Sequence, residues 1–246
     1  ATGEVSYPDM PNAGHFDIEE ARTYAENIGS HWGLMNIWSL SAVQLLFMVE
    51  YGSMHSQTLL GRGIVDKASG SDFAGENTGA FNIDDHLGHN GTGRGYGADD
   101  GLVPICYRWI ENLWGNTWSF IDGYAAVDAA YRILKADGSA TNFGESGWGV
   151  NDYDTSTATP ITSDGYISNI EHEALLKYML IPAAVAGSTS TYIPDYFWAH
   201  DAGETNILLA GGYWGIGSKA GLGCLNSRHD VAYSYRLIAA RLEFMG

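Results

Sequence analysis

The stretch that most constrains this chain lies at residues 208–242 and reads LLAGGYWGIGSKAGLGCLNSRHDVAYSYRLIAARL. Two sets of residues are interleaved in it. One is a frame of small and apolar residues: Gly211, Gly212, Trp214, Gly217, Ala220, Gly221, Leu222, Leu225, Ser227, Ala232, Ser234, Ile238, Ala239 and Arg241. The other is chemically mixed: Tyr213, Ile216, Lys219, Cys224, Asn226, Arg228, His229, Tyr233, Tyr235 and Arg236. A core strand does not mix its residues in this way, and neither does a disordered tail. The pattern fits a rigid scaffold that presents assorted side chains on one surface. The glycines of the frame permit tight or left-handed backbone and close packing, and Trp214 can anchor the loop to a core.

The frame resembles the variable region of proteins diversified by retroelements. In that family it runs GG-x-W-x-x-G-x-x-A-G, then a leucine, a polar run, a serine-to-isoleucine segment and a terminal arginine. Here the corresponding residues are Gly211, Gly212, Trp214, Gly217, Ala220, Gly221, Leu222, Leu225, Ser234 to Ile238, and Arg241. The segment before it, with Gly187-Ser188-Thr189 and Asp195-Tyr196 leading into a strand, is similar to the same family. The resemblance implies an α+β, C-type-lectin-like fold, with two helices packed on irregular antiparallel sheets and long loops. It implies one domain over 1–246, with an inserted loop at about 67–101 and a ligand-binding region at about 208–242. The positions that vary in the family fall here on Tyr213, Gly215, Ile216, Lys219, Gly223, Cys224, Asn226, Arg228, His229, Tyr233, Tyr235 and Arg236. Gly211, Gly212, Trp214, Gly217 and Arg241 fall on its scaffold positions. The family is common in phage tails and on bacterial surfaces, so a virion or extracellular location is expected. Its virion members often form trimers, so a homo-oligomer is an open expectation.

Composition bounds the rest. The chain has 246 residues, 45% of them hydrophobic, which is ample for a core. Its 32 glycines, about 13% against a usual 7%, favour turns and irregular loops over long helices. The net charge of −17 argues against nucleic acid or an anionic membrane as partner of the whole chain. Charge is uneven, however. From residue 211 to 242, Lys219, Arg228, Arg236 and Arg241 stand against Asp230, a net of +3, which leaves the remainder near −20. Two cysteines, Cys106 and Cys224, are too few for a disulfide framework and lack metal-ligand spacing. The longest apolar run, 34–49, is broken by Asn36, Ser39, Ser41 and Gln44, so membrane insertion is not expected.

Along the chain, Asp17 and Glu20 form a capping box for a helix over about 17–28, with Ile18, Ala21, Ala25 and Ile28 on one face and Gly29 as its left-handed cap. A short strand is expected in His31–Trp38. A second helix, capped by Ser39 or Ser41 and running to about Tyr51, is apolar almost all round and expected to be buried. The loop at 67–101 carries His86 and His89 near several acids; solvated loop residues or a metal site both account for them. Trp109, Trp114, Trp118 and Phe120 are expected in the central core around Gly115-Asn116. A strand is expected over Tyr131–Lys135, and a loop over Gly144–Thr157. There Asn151, Asp152 and Asp154 are adjacent oxygen donors, suited to plain turns or to a structural calcium ion. His200–Thr205 reads as a polar turn, followed by a buried strand at Ile207–Ala210.

Two functions remain in play. One is a non-enzymatic display domain that uses no cofactor and binds a protein or glycan on a cell surface. The three Tyr and two Arg of the mixed set are residue types that dominate binding interfaces. The other is cysteine oxidation, because the GN-x-W pattern of Gly115-Asn116-Thr117-Trp118 resembles the formylglycine-generating branch of the same fold, where GNVWEW is typical. Ser119 stands where that branch has Glu, and only Cys224 lies in the C-terminal half. A purely structural virion protein is a third, plainer reading.

Overall fold

A computed structural model describes residues 15–67, 99–135 and 152–244. Helix α1 (Ile18–Glu26) is followed by β1 (Trp32–Leu34), α2 (Ile37–Tyr51) and the single turn α3 (Ser56–Leu59). Next come β2 (Cys106–Tyr107), β3 (Ile110–Glu111), β4 (Trp118–Val127), β5 (Ala130–Leu134), β6 (Tyr153–Thr155), β7 (Gly165–Tyr166), β8 (Asn169–Ile170) and β9 (Pro182–Ala184). The chain closes with β10 (Tyr196–Trp198), β11 (Asn206–Ala210), β12 (Leu225–Asn226), β13 (Ile238–Ala239) and β14 (Leu242–Phe244). The fold is mixed α+β.

Helix α1 begins where the sequence places it. Asp17 accepts from the Glu20 N–H at 2.8 Å and Glu20 reaches back to the Asp17 N–H at 3.1 Å, satisfying two donors that the first helical turn leaves open. The helix ends earlier than expected, with Asn27 rather than Gly29 as its cap, so Ile28 falls outside the buried face. Arg22 takes a place on that face beside Ile18, Ala21 and Ala25. It is held there by two bonds to Asp122 on β4, at 2.6 and 2.9 Å. Both side chains are almost fully buried, so each charge depends on the other to offset its lost hydration.

Helix α2 starts before either expected serine. Asn36 accepts from the N–H groups of Trp38 and Ser39, which puts Ile37 and Trp38 inside the helix. Ser41 instead donates back to the Ile37 carbonyl at 2.6 Å. Left-handed Gly52 ends the helix. Only one face, with Ile37, Leu40, Gln44 and Phe47, is buried; Leu46 and Val49 are 44% and 84% exposed. The expectation of burial all round fails because α2 lies on the outside of the sheet, with partners on one side only.

The main sheet has eight strands in the order β6-β5-β4-β11-β12-β10-β7, with β13 also pairing to β4. Its ladders are antiparallel except β10–β12 and β4–β13, which are parallel. Both faces of the central strands are covered. Along β11, Ile207 and Leu209 face one core while Leu208 and Ala210 face the other, and all five residues of the strand are buried. That is why this strand reads as an unbroken apolar run. Apart from the main sheet, β1 pairs antiparallel with β14, Trp32 opposite Phe244.

Three other expectations need correcting. Trp114, Trp118 and Phe120 are buried as expected, but Trp109 is 58% exposed. With Arg108 it occupies the tip of the β2–β3 hairpin, both residues at positive φ, as a two-residue turn of this kind requires. Tyr153–Thr155, expected as loop, is a strand paired to β5. His200, expected in a polar turn, is buried and bonded to Asn206 through Nδ1 at 2.5 Å. The 67–101 loop, apart from Lys67 and residues 99–101, lies outside the described residues, as does Asn151. Asp152 is buried and Asp154 exposed. Among the described residues no three metal-binding side chains converge, and no helix is long and apolar enough to cross a membrane.

Arg22→Ala or Asp122→Ala strands one buried charge, and each is expected to cost about 3–5 kcal/mol. Replacing both by apolar residues of similar volume is expected to cost less than either single change. Urea denaturation of the three variants checks this.

Candidate ligand-binding groove

The segment after β11 is held by its backbone. Gly211 has φ +88°, and a Cβ there would lie 2.6 Å from the Leu113 carbonyl oxygen. Without one, its N–H donates to the Cys224 carbonyl at 2.9 Å and its own carbonyl accepts from Gly115 at 3.1 Å. Trp214 N–H donates to the Asn116 carbonyl at 2.9 Å, and Gly217 N–H to the Val65 carbonyl at 3.0 Å. Side chains from the helical region complete the clamp. Gln57 donates to the carbonyls of Gly217 and Ala220 at 3.1 and 2.6 Å, Gln44 donates to the Leu222 carbonyl at 2.9 Å, and Ser56 accepts from Leu222 N–H at 3.0 Å. Farther along, Asn206 donates to the Arg228 carbonyl and Tyr124 bonds Ser227. Almost none of these bonds uses a side chain from the mixed set.

On the opposite side lies a groove of about 610 Å³. Its floor is Trp118 on β4, Trp198 on β10, Asn226 on β12, and Leu237 with Ile238 at β13. Trp118 and Trp198 meet edge to face at 5.4 Å, and Tyr213 tilts against Trp118 at 6.3 Å. A second aromatic wall consists of His229 stacked on Tyr233 at 3.5 Å, with Tyr235 near-parallel at 6.5 Å from Tyr233. Lys219 lies over the rings of Tyr196 at 4.4 Å and Trp198 at 5.7 Å, positions that favour a cation.

Nine of the twelve positions expected to vary line this groove: Tyr213, Gly215, Ile216, Lys219, Asn226, Arg228, His229, Tyr233 and Tyr235. They come from two loops and the short strand between them, β12, so the groove exists only in the folded chain. Three do not line it. Cys224 is fully buried, in the same core cluster as Trp118 and Ile238 of the groove floor. Gly223 is also buried; its N–H donates at 2.7 Å to Asp195, and a Cβ there would come within 2.7 Å of Ile193. Gly223 and Cys224 are thus parts of the scaffold, because this turn packs directly on the buried Asp195. Arg236 is half-buried in the turn before β13 and outside the lining. Among the scaffold positions, Trp214 is buried, although its indole N–H finds no hydrogen-bond partner among the described residues, and Arg241 donates to the Glu111 carbonyl.

Electrostatics sharpen the picture. Arg228 pairs with Asp164, whose other oxygen accepts from Ala199 N–H at 2.8 Å. Burial, with Arg228 beside it, lowers the His229 pKa below its ordinary value. Burial raises the Asp195 carboxyl well above the usual range, against the pull of the Gly223 N–H. Both thiols, Cys106 and Cys224, are free and are pushed up chiefly by burial. The residues that sequence reasoning missed are the fixed floor: Trp198, Leu237, Ile238, and Trp118, which was expected only as core. The one available signal was the aromatic run Tyr196-Phe197-Trp198 just upstream. Period two puts Tyr196 and Trp198 on the face opposite the core residue Phe197.

No family model matches the chain, and no curated protein matches it.

Gly223→Ala is expected to destabilise by about 1–3 kcal/mol, the cost of overpacking a filled site, whereas Gly215→Ala, at an exposed position, is expected to stay within about 0.5 kcal/mol; thermal denaturation distinguishes them. His229 gives a pH signature. Its folded-state pKa is lowered, so the fold binds fewer protons than the unfolded chain. Stability is therefore retained above the unfolded value of about 6.5 and lost as pH falls through it toward the lower folded value. His229→Phe, which keeps a flat ring against Tyr233, is expected to show a smaller fall in Tm between about pH 7 and pH 5.5.

Proposed function

We propose that this protein is a non-enzymatic display domain whose groove binds a protein or glycan ligand on a cell surface, in the manner of the retroelement-diversified proteins its C-terminal stretch resembles. The observation that carries this reading is the division of labour after β11. The backbone is fixed mainly by Gln44, Ser56, Gln57, Asn206 and other residues outside the stretch, while nine of the positions expected to vary converge on one concave surface. A C-type-lectin-like architecture fits the two main helices, the pairing of β1 with β14 and the long loop-rich C-terminal half. A phage tail or bacterial surface setting follows from the resemblance, as does a homo-oligomer; a structural calcium ion remains a proposal at 151–154. The acidic body turns the charged ligand search toward partners other than nucleic acid.

The cysteine-oxidase reading is less well supported. Thiol catalysis needs accessible, low-pKa sulfur. Cys106 and Cys224 are both buried and pushed the other way.

Lys219 and Tyr235 are the cleanest probes of the display reading. Tyr235 is 41% exposed, and neither side chain makes a hydrogen bond that holds the loop. Tyr233 and Arg228 are poorer choices, since one stacks on His229 and the other pairs with Asp164. The variant Lys219→Ala with Tyr235→Ala is expected to keep Tm close to wild type and to lose at least about tenfold in affinity for whatever bacterial cells the labelled wild-type protein decorates. Unchanged binding, or an unfolded double variant, would overturn the reading.

A further inference from the structure

The groove's polar groups point to a ligand class. Asp164, the one carboxylate at its border that contacts a lining residue, has both oxygens engaged, by Ala199 N–H and by Arg228. The Asn226 oxygen is engaged by the Arg228 N–H at 3.0 Å. That leaves the amide N–H donors of Asn226, for which the described residues supply no partner. The Lys219 ammonium lies against the rings of Tyr196 and Trp198. Arg228 gives one N–H to Asp164, and its side chain is 38% exposed, with further donors on the same guanidinium. The groove's side chains therefore offer amide, ammonium and guanidinium donors and positive charge, beside tyrosine hydroxyls and the ring of His229. The exposed carboxylates nearest His229, Asp201 and Asp230, lie outside the lining.

Its walls are flat. Trp118, Trp198, Tyr213 and the Tyr233–Tyr235 pair present ring faces and edges on both sides of a space of about 610 Å³. That volume lies within the ~300–1,000 Å³ range typical of small-ligand sites. A space of that size suits a short segment of a ligand inserted between the walls. Three of the floor strands, β4, β10 and β12, are interior to the sheet, and the fourth, β13, is paired to β4 over two residues only, a short edge for an extended peptide to add to.

We infer that the groove binds a short acidic oligosaccharide, its pyranose faces against the aromatic walls and a sugar carboxylate at Lys219, Arg228 and Asn226. This assignment rests on the display reading and narrows its ligand. The carboxylate suits a fork of guanidinium and amide donors. The negative charge of the body does not prevent this, because at physiological salt charges are screened beyond about 8 Å, whereas the donors are in direct contact.

The test uses the full chain, labelled with ¹⁵N, and three probes: a hyaluronan tetrasaccharide, the same tetrasaccharide with its carboxyls reduced to alcohols, and an acidic peptide of alternating Glu and Tyr. The acidic sugar is expected to bind saturably and to shift the indole N–H signals of Trp118 and Trp198. The reduced sugar is expected to bind about tenfold more weakly. Lys219→Gln is expected to narrow that gap while leaving Tm unchanged; Arg228→Gln is expected to narrow it too, with a small fall in Tm from the lost ion pair to Asp164. Equal affinity for the two sugars, tighter binding of the peptide, or no indole shift at millimolar sugar overturns the assignment. If the sugars fail while cell decoration still depends on Lys219 and Tyr235, the ligand class alone falls. If both fail, the display reading falls with it.

Discussion

Gly211 is where the architecture is tied together. At this residue the end of β11, the Leu113–Gly115 turn and the segment around Cys224 pass so close that no side chain fits. The glycine's two backbone groups bond to two different segments, and its carbonyl also lies 3.5 Å from the Gly221 N–H. Buried backbone groups must find partners or cost free energy. A crossing of three segments in one place satisfies them without help from side chains. Everything beyond, including the groove, hangs from that knot.

This arrangement explains how assorted residues can occupy one surface without unfolding it. Where a loop is held by its own side chains, each substitution changes stability. Here Gln44, Ser56 and Gln57 grip the loop's carbonyls and amides from behind. The outward side chains meet mainly one another and the aromatic floor. The separation is incomplete. His229 and Tyr233 stack, and Arg228 depends on Asp164. The second wall is therefore partly preorganised, which limits the side-chain entropy lost when a ligand binds.

Two buried carboxyl groups illustrate different ways of meeting the cost of desolvation. Asp122 keeps a partner charge, Arg22, and so links α1 to the middle of β4. Asp195 has no such cation; its site favours the protonated acid, with the Gly223 N–H donating to it. The second solution demands small residues nearby. A Cβ at Gly221 would lie 2.1 Å from the Asp195 carboxyl, so the Gly-Leu-Gly turn is shaped by an acid about 26 positions earlier in the chain.

The sequence by itself determined the local structure and the interleaving. The capping box of α1, the buried strand at β11 and the core tryptophans Trp114 and Trp118 could be read from residue type and spacing, because each depends on neighbours within a few positions; nine of the groove's residues were singled out by the resemblance of the C-terminal stretch. Only the tertiary structure decided which side of an element is covered. α2 looked buried all round, yet its outer face is open, because apolar composition does not say how many neighbours a helix has. Nothing near Arg22 in the sequence marks it as buried; Asp122, a hundred positions away, holds it there. Gly223 and Cys224 fell on positions expected to vary, and Trp198 had no assigned role. Their places are set by Asp195 and by the β10–β12 pairing. Such long-range contacts leave no periodic trace, since the chain that brings them together is free to vary in length and composition.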